Sequence, residues 1–331
     1  MSESAEQLPL RSKLRYAAEA VPFFLFMGLF RIMGLNAAST LGGFIGRELF
    51  YRMGGTMKRA RNNLRAAFPG MPEAEIDATI REMCDNLGRT IAEYAHFNKL
   101  SLESGRFELV GGEIIERLKK TGKGILFISG HFANWEMMLL MARQIGLDGG
   151  TVYRPVNNIY IDRWMAKRRA KYGPTELISK GAQGTRRIFT LLRAGQCIFI
   201  LVDQKTNEGL PVPFFGRIAM TTPAPAALAL KLGAFLLPAS NERLGGSRFR
   251  MTVYEPLEFA PSGDHDQDVF DLTQKINDFI EESVRKRPSQ WLWIHRRWPK
   301  AGDAPRSRRG LEAQALGGSG VGVEREGSSL S

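Results

Sequence analysis

Residues 124–136 read GILFISGHFANWE, an apolar run that leads directly into a loop containing a histidine and an acid. A short, uninterrupted apolar run is typical of a strand that is buried on both faces of a sheet. His131 is one of four histidines in the chain, and Glu136 follows it five positions later. The stretch predicts a buried strand, a loop and the start of a helix, with the histidine at the carboxyl end of the strand.

The alternation of strand and helix patterns continues along the chain. Further short apolar runs occupy residues 150–153, 196–202, 234–238 and 249–254. Helical spacing is found at residues 57–68, 71–91, 163–172, 184–194, 221–232 and 272–284. This alternation predicts an α/β fold, with a mixed central sheet flanked by helices and the functional site at the strand ends.

The N-terminal part combines an apolar run with basic residues. Residues 20–30 read AVPFFLFMGLF, with Arg11, Lys13 and Arg15 before the run and Arg31 after it. A membrane-spanning helix needs about 20 apolar residues, so this shorter run favours an interfacial anchor. A core helix is the alternative, and a cleaved signal fits poorly because no convincing cleavage site follows the run.

Composition divides the chain into three predicted segments. Residues 1–100 are predicted to form a helical, membrane-associating segment, and residues 101–300 an α/β domain. Residues 301–331 contain no aromatic residue and are rich in Gly, Ser and charged residues. That composition predicts a disordered tail.

The chain carries a net charge of +12, from 46 Lys and Arg against 34 Asp and Glu. A field of this strength attracts phosphates, acidic proteins or anionic lipid surfaces. Part of the charge lies in a basic run at residues 163–171, where Trp164 and Met165 are interleaved. The run is either a solvated helix face or a contact for anionic lipid headgroups or an acidic carrier protein.

The pair of His131 and Glu136 admits two interpretations. Residues five positions apart do not share a helix face, so a loop or first turn would have to bring them together. Glu136 would then accept a hydrogen bond from one ring nitrogen of His131, and the other nitrogen could remove a proton from a hydroxyl. Alternatively, backbone groups satisfy the histidine and the glutamate lies on a solvated helix face.

The block at residues 130–136 resembles the signature of the late acyltransferases of lipid A biosynthesis, the lauroyl and myristoyl transferases of the glycerolipid acyltransferase superfamily. Further blocks resemble this family in the same order: RNNLRAAFP at 61–69, YRPVNN at 153–158, DQ at 203–204, VPFFG at 212–216 and QWLWIHRRW at 290–298. The sequence departs from the family pattern at Ala133, where glycine is common, and in its extended C-terminus.

The resemblance implies transfer of a fatty acyl chain from an acyl-carrier-protein thioester to a hydroxyl of a lipid A precursor. It implies His131 as general base and Glu136 as its partner, at the cytoplasmic face of the inner membrane. No metal or organic cofactor is expected, since a thioester is already activated and the reaction needs a base, an oxyanion stabiliser and exclusion of water. Because no Gly-x-Ser-x-Gly motif occurs, we expect direct attack without an acyl-enzyme.

Six further residues are assigned to substrate binding. Arg154 precedes a proline that restricts the backbone, and a guanidinium held in this way suits phosphate binding or support of a developing oxyanion. Asp203 either orients Arg154 or another basic group, or caps the loop that follows its strand.

The remaining four candidates lie in two of the family-like blocks. Phe215 and Gly216 either line an acyl groove or belong to the core. Gly130 and Asn134 belong to the histidine loop, where amides near Gly130 could support an oxyanion. His295 is expected to be structural.

Three alternative functions remain open. The acceptor could be a lysophospholipid or another glycolipid. Metal-dependent hydrolysis would use His131 and Glu136 as ligands, but a third ligand is hard to find among so few histidines. A basic module for membrane or nucleic-acid binding would explain the charge, but it leaves the histidine block unexplained. We therefore expect no nucleic-acid partner.

Overall fold

A computed structural model describes residues 9–173, 176–206 and 209–299, and the predicted tail at 301–331 lies outside the described residues. In these ranges the α-helices are α1 (Leu10–Ile32), α2 (Leu35–Leu49), α3 (Gly54–Ala67), α4 (Glu73–Glu93), α5 (Gly112–Lys119), α6 (Glu136–Gln144), α7 (Ile159–Tyr172), α8 (Ala182–Arg193), α9 (Ala224–Leu232) and α10 (His265–Lys286). The strands are β1 (Phe107–Val110), β2 (Ile125–Ser129), β3 (Gly149–Tyr153), β4 (Glu176–Ser179), β5 (Cys197–Leu201), β6 (Leu210–Phe214), β7 (Arg217–Thr221), β8 (Phe235–Gly245) and β9 (Arg248–Val253).

Seven of these strands form a central sheet in the order β1-β9-β8-β2-β5-β3-β4, and β6 and β7 form a separate hairpin. The pairing in the central sheet is parallel except between β8 and β9. Strand β2 lies between β5 and β8, and all five of its residues are buried. The mixed α/β class and the buried strand predicted at residues 124–129 are confirmed.

The other predicted strands correspond to β3, β5, β8 and β9, and the predicted helices to α3, α4, α7, α8, α9 and α10. The sequence does not predict β1 or β4, which have four residues each and lie at the two edges of the sheet. It also misses the β6–β7 hairpin, where Pro211 and Pro213 cannot donate hydrogen bonds to a neighbouring strand. Short edge strands and proline-containing strands carry weak apolar patterns.

Side chains of β2 alternate between the two faces of the sheet and enter two cores. Leu126 and Ile128 pack with residues of α3, α4, α8, α9 and α10. Ile125 and Phe127 pack with residues of α5 and α6. The Phe127 ring stacks on that of Phe199, with centroids 4.7 Å apart. Helices therefore cover both faces of the strand that precedes the histidine loop.

Helix α1 has a buried and an exposed apolar face. Met27 and Phe30 pack against Ala92 of α4, whereas Leu25 is 70% exposed and Ile32 84% exposed. Within the described ranges, every helix falls short of the length and apolarity that a membrane span needs. The membrane association of this segment, and the predicted boundaries near residues 100 and 300, stay predictions.

Glycines allow α2 to approach α4 closely. A Cβ at Gly88 would lie 2.0 Å from the carbonyl oxygen of Gly42, and a Cβ at Gly46 would lie 2.0 Å from that of Cys84. Such distances are far below van der Waals contact, so any larger residue must separate the two helices.

We expect Gly88→Ala to lower the free energy of unfolding by about 1–3 kcal/mol, because the added methyl group overpacks the α2–α4 contact. Denaturant unfolding followed by circular dichroism measures the change. Gly28→Ala is the matched control, since a Cβ there meets no atom within 4 Å. Equal stability of the two variants would contradict the close approach of α2 to α4.

Candidate active site

The register between β2 and β5 brings two loop residues together. Ser129, the last residue of β2, pairs with Leu201, the last residue of β5. His131 and Asp203 each lie two positions beyond these residues. Because parallel strands end at the same edge of a sheet, both side chains reach one site at the carboxyl edge.

Asp203 holds the histidine through two hydrogen bonds. The Nδ1 atom of His131 lies 2.8 Å from Oδ1 of Asp203, and the backbone N–H of His131 donates to Oδ2 at 2.8 Å. The indole N–H of Trp291 donates to the same Oδ2 at 2.8 Å. An ionised carboxylate at Nδ1 favours the tautomer with its proton on Nδ1, which leaves Nε2 free to act as a base.

The electrostatics keep Asp203 ionised. Its side chain is only 3% exposed, and burial by itself would raise the pKa of the carboxyl. The charge of His131, together with hydrogen bonds from His131 and Trp291, outweighs burial and lowers this pKa to about 2. Asp203 can therefore stabilise the positive charge that His131 gains when Nε2 takes a proton.

The predicted hydrogen bond between His131 and Glu136 is not formed, so this prediction is wrong. Asp203 instead lies at Nδ1 of His131. Glu136 begins α6 and is 1% exposed. Its Oε2 atom accepts a hydrogen bond from Nε of Arg169 at 2.9 Å, and its Oε1 atom accepts one from the indole N–H of Trp135 at 3.1 Å. A buried carboxylate requires a cation, and Arg169 of α7 supplies it.

Gly130 makes room for the pair of His131 and Asp203. A Cβ at position 130 would lie 2.8 Å from a ring carbon of Phe132 and 3.2 Å from Oδ2 of Asp203. A side chain at this position would push the carboxylate away from the loop. The role of Gly130 is therefore steric, since the absence of a side chain lets Asp203 approach the histidine loop.

Helix α4 and the turn at Pro288–Gln290 hold the histidine loop through hydrogen bonds to Ala133. Ala133 has a φ of 47°, a left-handed conformation that costs a non-glycine residue about 1 kcal/mol. Its carbonyl accepts hydrogen bonds from Asn86 at 2.9 Å and from Thr90 at 3.3 Å. Its N–H donates to the carbonyl of Gln290 at 2.7 Å. These bonds hold the strained residue in place.

Asn134 was predicted to bind substrate, but its side chain is fully buried. Its amide donates to Oε2 of Glu93 at 2.8 Å, and its Oδ1 atom accepts from the N–H of Glu136 at 3.2 Å. Glu93 in turn pairs with Arg243 at 2.6 Å. Asn134 therefore links the loop to a buried ion pair.

The structure separates the other predicted binding residues. Arg154 is exposed directly after β3, and its positive charge acts on the ring of His295. Phe215 lies in the core cluster below the β6–β7 hairpin, in T-shaped contact with Phe68 at 5.2 Å. Gly216 forms the hairpin turn with a φ of 67°. Phe215 therefore packs in the core, but Phe215 and Gly216 also line a surface cavity together with Phe68, so the acyl groove stays a prediction.

His295 is a site residue that the sequence does not reveal. Its ring centroid lies 5.7 Å from that of His131. Burial, and then the positive charges of His131, Arg59 and Arg154, lower the pKa of His295 to about 4. The only sequence signal is its place in the last family-like block, so tertiary packing was needed to bring the two histidines together.

Gln204 completes the surroundings of the histidine. Its Nε2 atom lies 3.3 Å from Nε2 of His131, on the side away from Asp203. The Trp135 ring is inclined by 64° to the His131 ring, with centroids 5.1 Å apart. Among the described residues, no group of three or more His, Cys, Asp or Glu side chains is placed to hold a metal ion.

We expect His295 to make stability depend on pH. Its folded pKa, about 4, lies below the ordinary value of about 6.5, so the unfolded chain binds more protons between these pH values. The free energy of unfolding should therefore fall as pH falls from about 6.5 to about 4, by at most about 1.4 kcal/mol per pH unit from this group. His295→Gln should flatten this fall in urea unfolding measured across the range. His265→Gln, at an exposed position, should not.

We expect Glu136→Gln to lower the free energy of unfolding by about 3–5 kcal/mol, because it leaves the Arg169 guanidinium buried without a counterion. Replacing both partners, as Glu136→Leu with Arg169→Met, should recover most of the loss, since no buried charge then remains. Urea unfolding of the two variants tests this. A double variant that is less stable than Glu136→Gln would argue against a structural ion pair.

Comparisons with known proteins identify the family of this chain. The sequence model of the bacterial lipid A biosynthesis acyltransferase family matches residues 6–300. The lipid A biosynthesis lauroyltransferase of Escherichia coli (strain K12) is 27% identical over 265 residues, which cover 78% of this chain and 84% of the relative. The palmitoleoyltransferase of the same strain is 27% identical over 247 residues, covering 72% and 77%.

A further relative has a different name. The phosphatidylinositol mannoside acyltransferase of Mycobacterium tuberculosis (strain ATCC 25618 / H37Rv) is 24% identical over 273 residues, which cover 80% of this chain and 83% of the relative. The family model nevertheless covers nearly the whole chain, and it confirms the resemblance seen in the sequence blocks. This chain belongs to the bacterial lipid A biosynthesis acyltransferase family and is an acyltransferase.

Proposed function

We propose that this acyltransferase moves a fatty acyl group from an acyl-carrier-protein thioester to a hydroxyl of a lipid A precursor, with His131 as general base. The observation that carries the proposal is the hydrogen-bonded pair of His131 and Asp203 at the carboxyl edge of the sheet. A histidine whose Nδ1 is held by an ionised carboxylate has the features of a general base.

The proposed reaction needs no nucleophile on the enzyme. Nε2 of His131 takes the proton of the acceptor hydroxyl as its oxygen attacks the thioester carbonyl. The tetrahedral intermediate then collapses, so that the new C–O bond remains and the C–S bond breaks. The imidazolium returns its proton to the departing thiolate, and Asp203 stays ionised throughout. No metal or organic cofactor enters these steps.

The donors for the developing oxyanion differ from those expected at the histidine loop. The amides of residues 131, 132 and 133 donate to Asp203, to the Gly130 carbonyl and to the Gln290 carbonyl. These three amides are therefore occupied. We assign oxyanion support to the guanidinium of Arg154, which is exposed directly after β3.

Positive charges near the site suit the phosphates of a glycolipid acceptor. Arg59 and Arg154 both act on the ring of His295, which lies beside His131. Guanidinium groups bind phosphate through paired hydrogen bonds. A related phosphoglycolipid or lysophospholipid is the second candidate acceptor, because the mycobacterial phosphatidylinositol mannoside enzyme is about as similar as the lipid A enzymes.

We place the enzyme at the cytoplasmic face of the inner membrane, anchored by α1 in the interfacial region. Eight large apolar residues of α1 are exposed, and five of them, Leu14, Val21, Leu25, Leu29 and Ile32, follow one another at spacings of seven, four, four and three residues. Such spacings place them along one side of the helix. An apolar stripe of this kind binds the boundary between lipid headgroups and acyl chains.

We expect Asp203→Asn and His131→Ala each to lower kcat by about 10²–10⁴-fold, the contribution of general base catalysis. The assay follows radiolabelled acyl groups passing from a set of acyl-carrier-protein thioesters to a tetra-acylated lipid A precursor in detergent. Asp271→Asn removes an exposed carboxylate and is the matched control.

The same assay separates the alternatives. Full activity of Asp203→Asn, with loss of activity in a folded Glu136→Gln, would return the role of histidine partner to Glu136. Wild-type transfer to a lysophospholipid or a phosphatidylinositol mannoside, with none to the lipid A precursor, would assign the second candidate acceptor. Hydrolysis of the thioester that is as fast as acyl transfer would contradict an acyltransferase that excludes water.

A further inference from the structure

A second concave site lies between α1 and α7, and it shares no lining residue with the candidate active site. It encloses about 370 Å³. We call it the α1–α7 pocket, and its lining residues are Arg31, Asn98, Trp164, Lys167, Arg168, Lys171 and Tyr172. Four of these seven residues are cationic.

The four cations carry no carboxylate partner among the described residues of the pocket. Arg31 donates to Oδ1 of Asn98 at 2.7 Å, a neutral acceptor. The guanidinium of Arg168 lies 4.1 Å from the centre of the Trp164 ring. The Lys171 ammonium lies 5.3 Å from the centre of the Tyr172 ring. Aromatic rings and an amide leave the positive charge of the pocket uncompensated.

Arg168 has an unsatisfied donor in this setting. Its Nε atom is buried and has no hydrogen-bond partner. Burial lowers the pKa of Arg168, and the positive charge of Arg31 lowers it further. A buried N–H without an acceptor is rare in folded proteins. An anionic oxygen in the pocket would supply both an acceptor and a counterion.

The pocket adjoins the apolar stripe of α1. Arg31 belongs to the pocket, and Ile32, the next residue of α1, is an exposed member of the stripe. Trp164 joins the two elements, since its ring contacts that of Phe24 at 6.3 Å, and Phe24 is 37% exposed on α1, three residues after Val21 of the stripe. Cationic groups and a tryptophan beside an apolar surface are typical of the headgroup level of a membrane.

We propose that the α1–α7 pocket binds the headgroup phosphate of an anionic phospholipid whose acyl chains lie along the apolar stripe of α1. The pocket supplies cations and an unsatisfied N–H to the phosphate oxygens, and the stripe supplies an apolar surface to the chains. The inference rests on the membrane association proposed for α1. It adds one defined lipid site to a general interfacial contact.

The stripe distinguishes a lipid from an acidic protein as the ligand. Charge alone would suit either, because carboxylates and phosphates both bind Lys and Arg. A carrier protein docked on the cations would leave Leu29 and Ile32 exposed to water. A phospholipid covers the apolar residues and neutralises the cations together, so it accounts for both features.

The test titrates the full-length protein with dihexanoyl-phosphatidylglycerol, a lipid that is soluble as a monomer, by isothermal calorimetry. We expect one binding site per chain. Dihexanoyl-phosphatidylcholine should bind more weakly because its headgroup has no net charge. Inorganic phosphate is the third probe and should also bind more weakly, because it cannot use the stripe. Lys167→Gln with Lys171→Gln should weaken phosphatidylglycerol binding about thirtyfold, the effect expected for two cations near an anionic surface.

The matched control is Lys120→Gln with Lys123→Gln. These two exposed lysines lie just before β2 begins, at the opposite edge of the sheet from the histidine loop, and their loss changes the net charge by the same amount. If phosphatidylglycerol binding is weakened equally in both double variants, the effect comes from the net charge of the protein and not from the pocket, and the proposal is overturned. Equal binding of both lipids by the wild type would also overturn it.

Two further measurements identify which proposal has failed. Flotation with vesicles of phosphatidylcholine alone tests membrane binding by the apolar stripe. If the protein binds these vesicles but shows no preference for phosphatidylglycerol in calorimetry, the interfacial anchor is retained and the headgroup site is rejected. Binding of acyl carrier protein in the absence of lipid, lost in the Lys167→Gln and Lys171→Gln variant, would make the pocket a protein-docking surface. None of these measurements depends on acyl transfer.

Discussion

The parallel register between β2 and β5 is the constraint on which the candidate active site depends. Because Ser129 pairs with Leu201, the two loops that follow these strands begin level with each other. Asp203 then lies beside His131 without any further adjustment of the backbone. A shift of one residue would turn each β2 side chain to the opposite face. It would both disrupt the two cores and separate His131 from Asp203.

Buried ion pairs next to these strands hold the histidine loop in its strained backbone conformation. Glu93 and Arg243 anchor Asn134 from one side, and Arg169 anchors Glu136 from the other. Such pairs add little net stability compared with apolar residues of the same size, because both charges lose their hydration. Their benefit here is geometric, since they fix the direction in which the loop presents His131.

Helix α7 connects the candidate active site with the surface of the protein. Arg169 points inward to Glu136, whereas Lys167 and Lys171 line the pocket next to α1. A helix that contacts the active-site loop on one side and a lipid headgroup on the other would hold the catalytic edge at a set distance from the membrane. An acceptor anchored in the bilayer could then reach His131 without leaving it.

The sequence by itself determined the alternating α/β pattern, the buried strand β2 and the histidine at its end, because apolar spacing and short motifs are local properties. It could not identify the partner of His131. Glu136 is five residues away in the chain, whereas Asp203 is 72 residues away. Likewise, His295 joins the site only through packing, and the edge strands β1 and β4 are too short to be seen. Tertiary structure decided these points, because strand register and the pairing of buried charges arise only when distant segments meet.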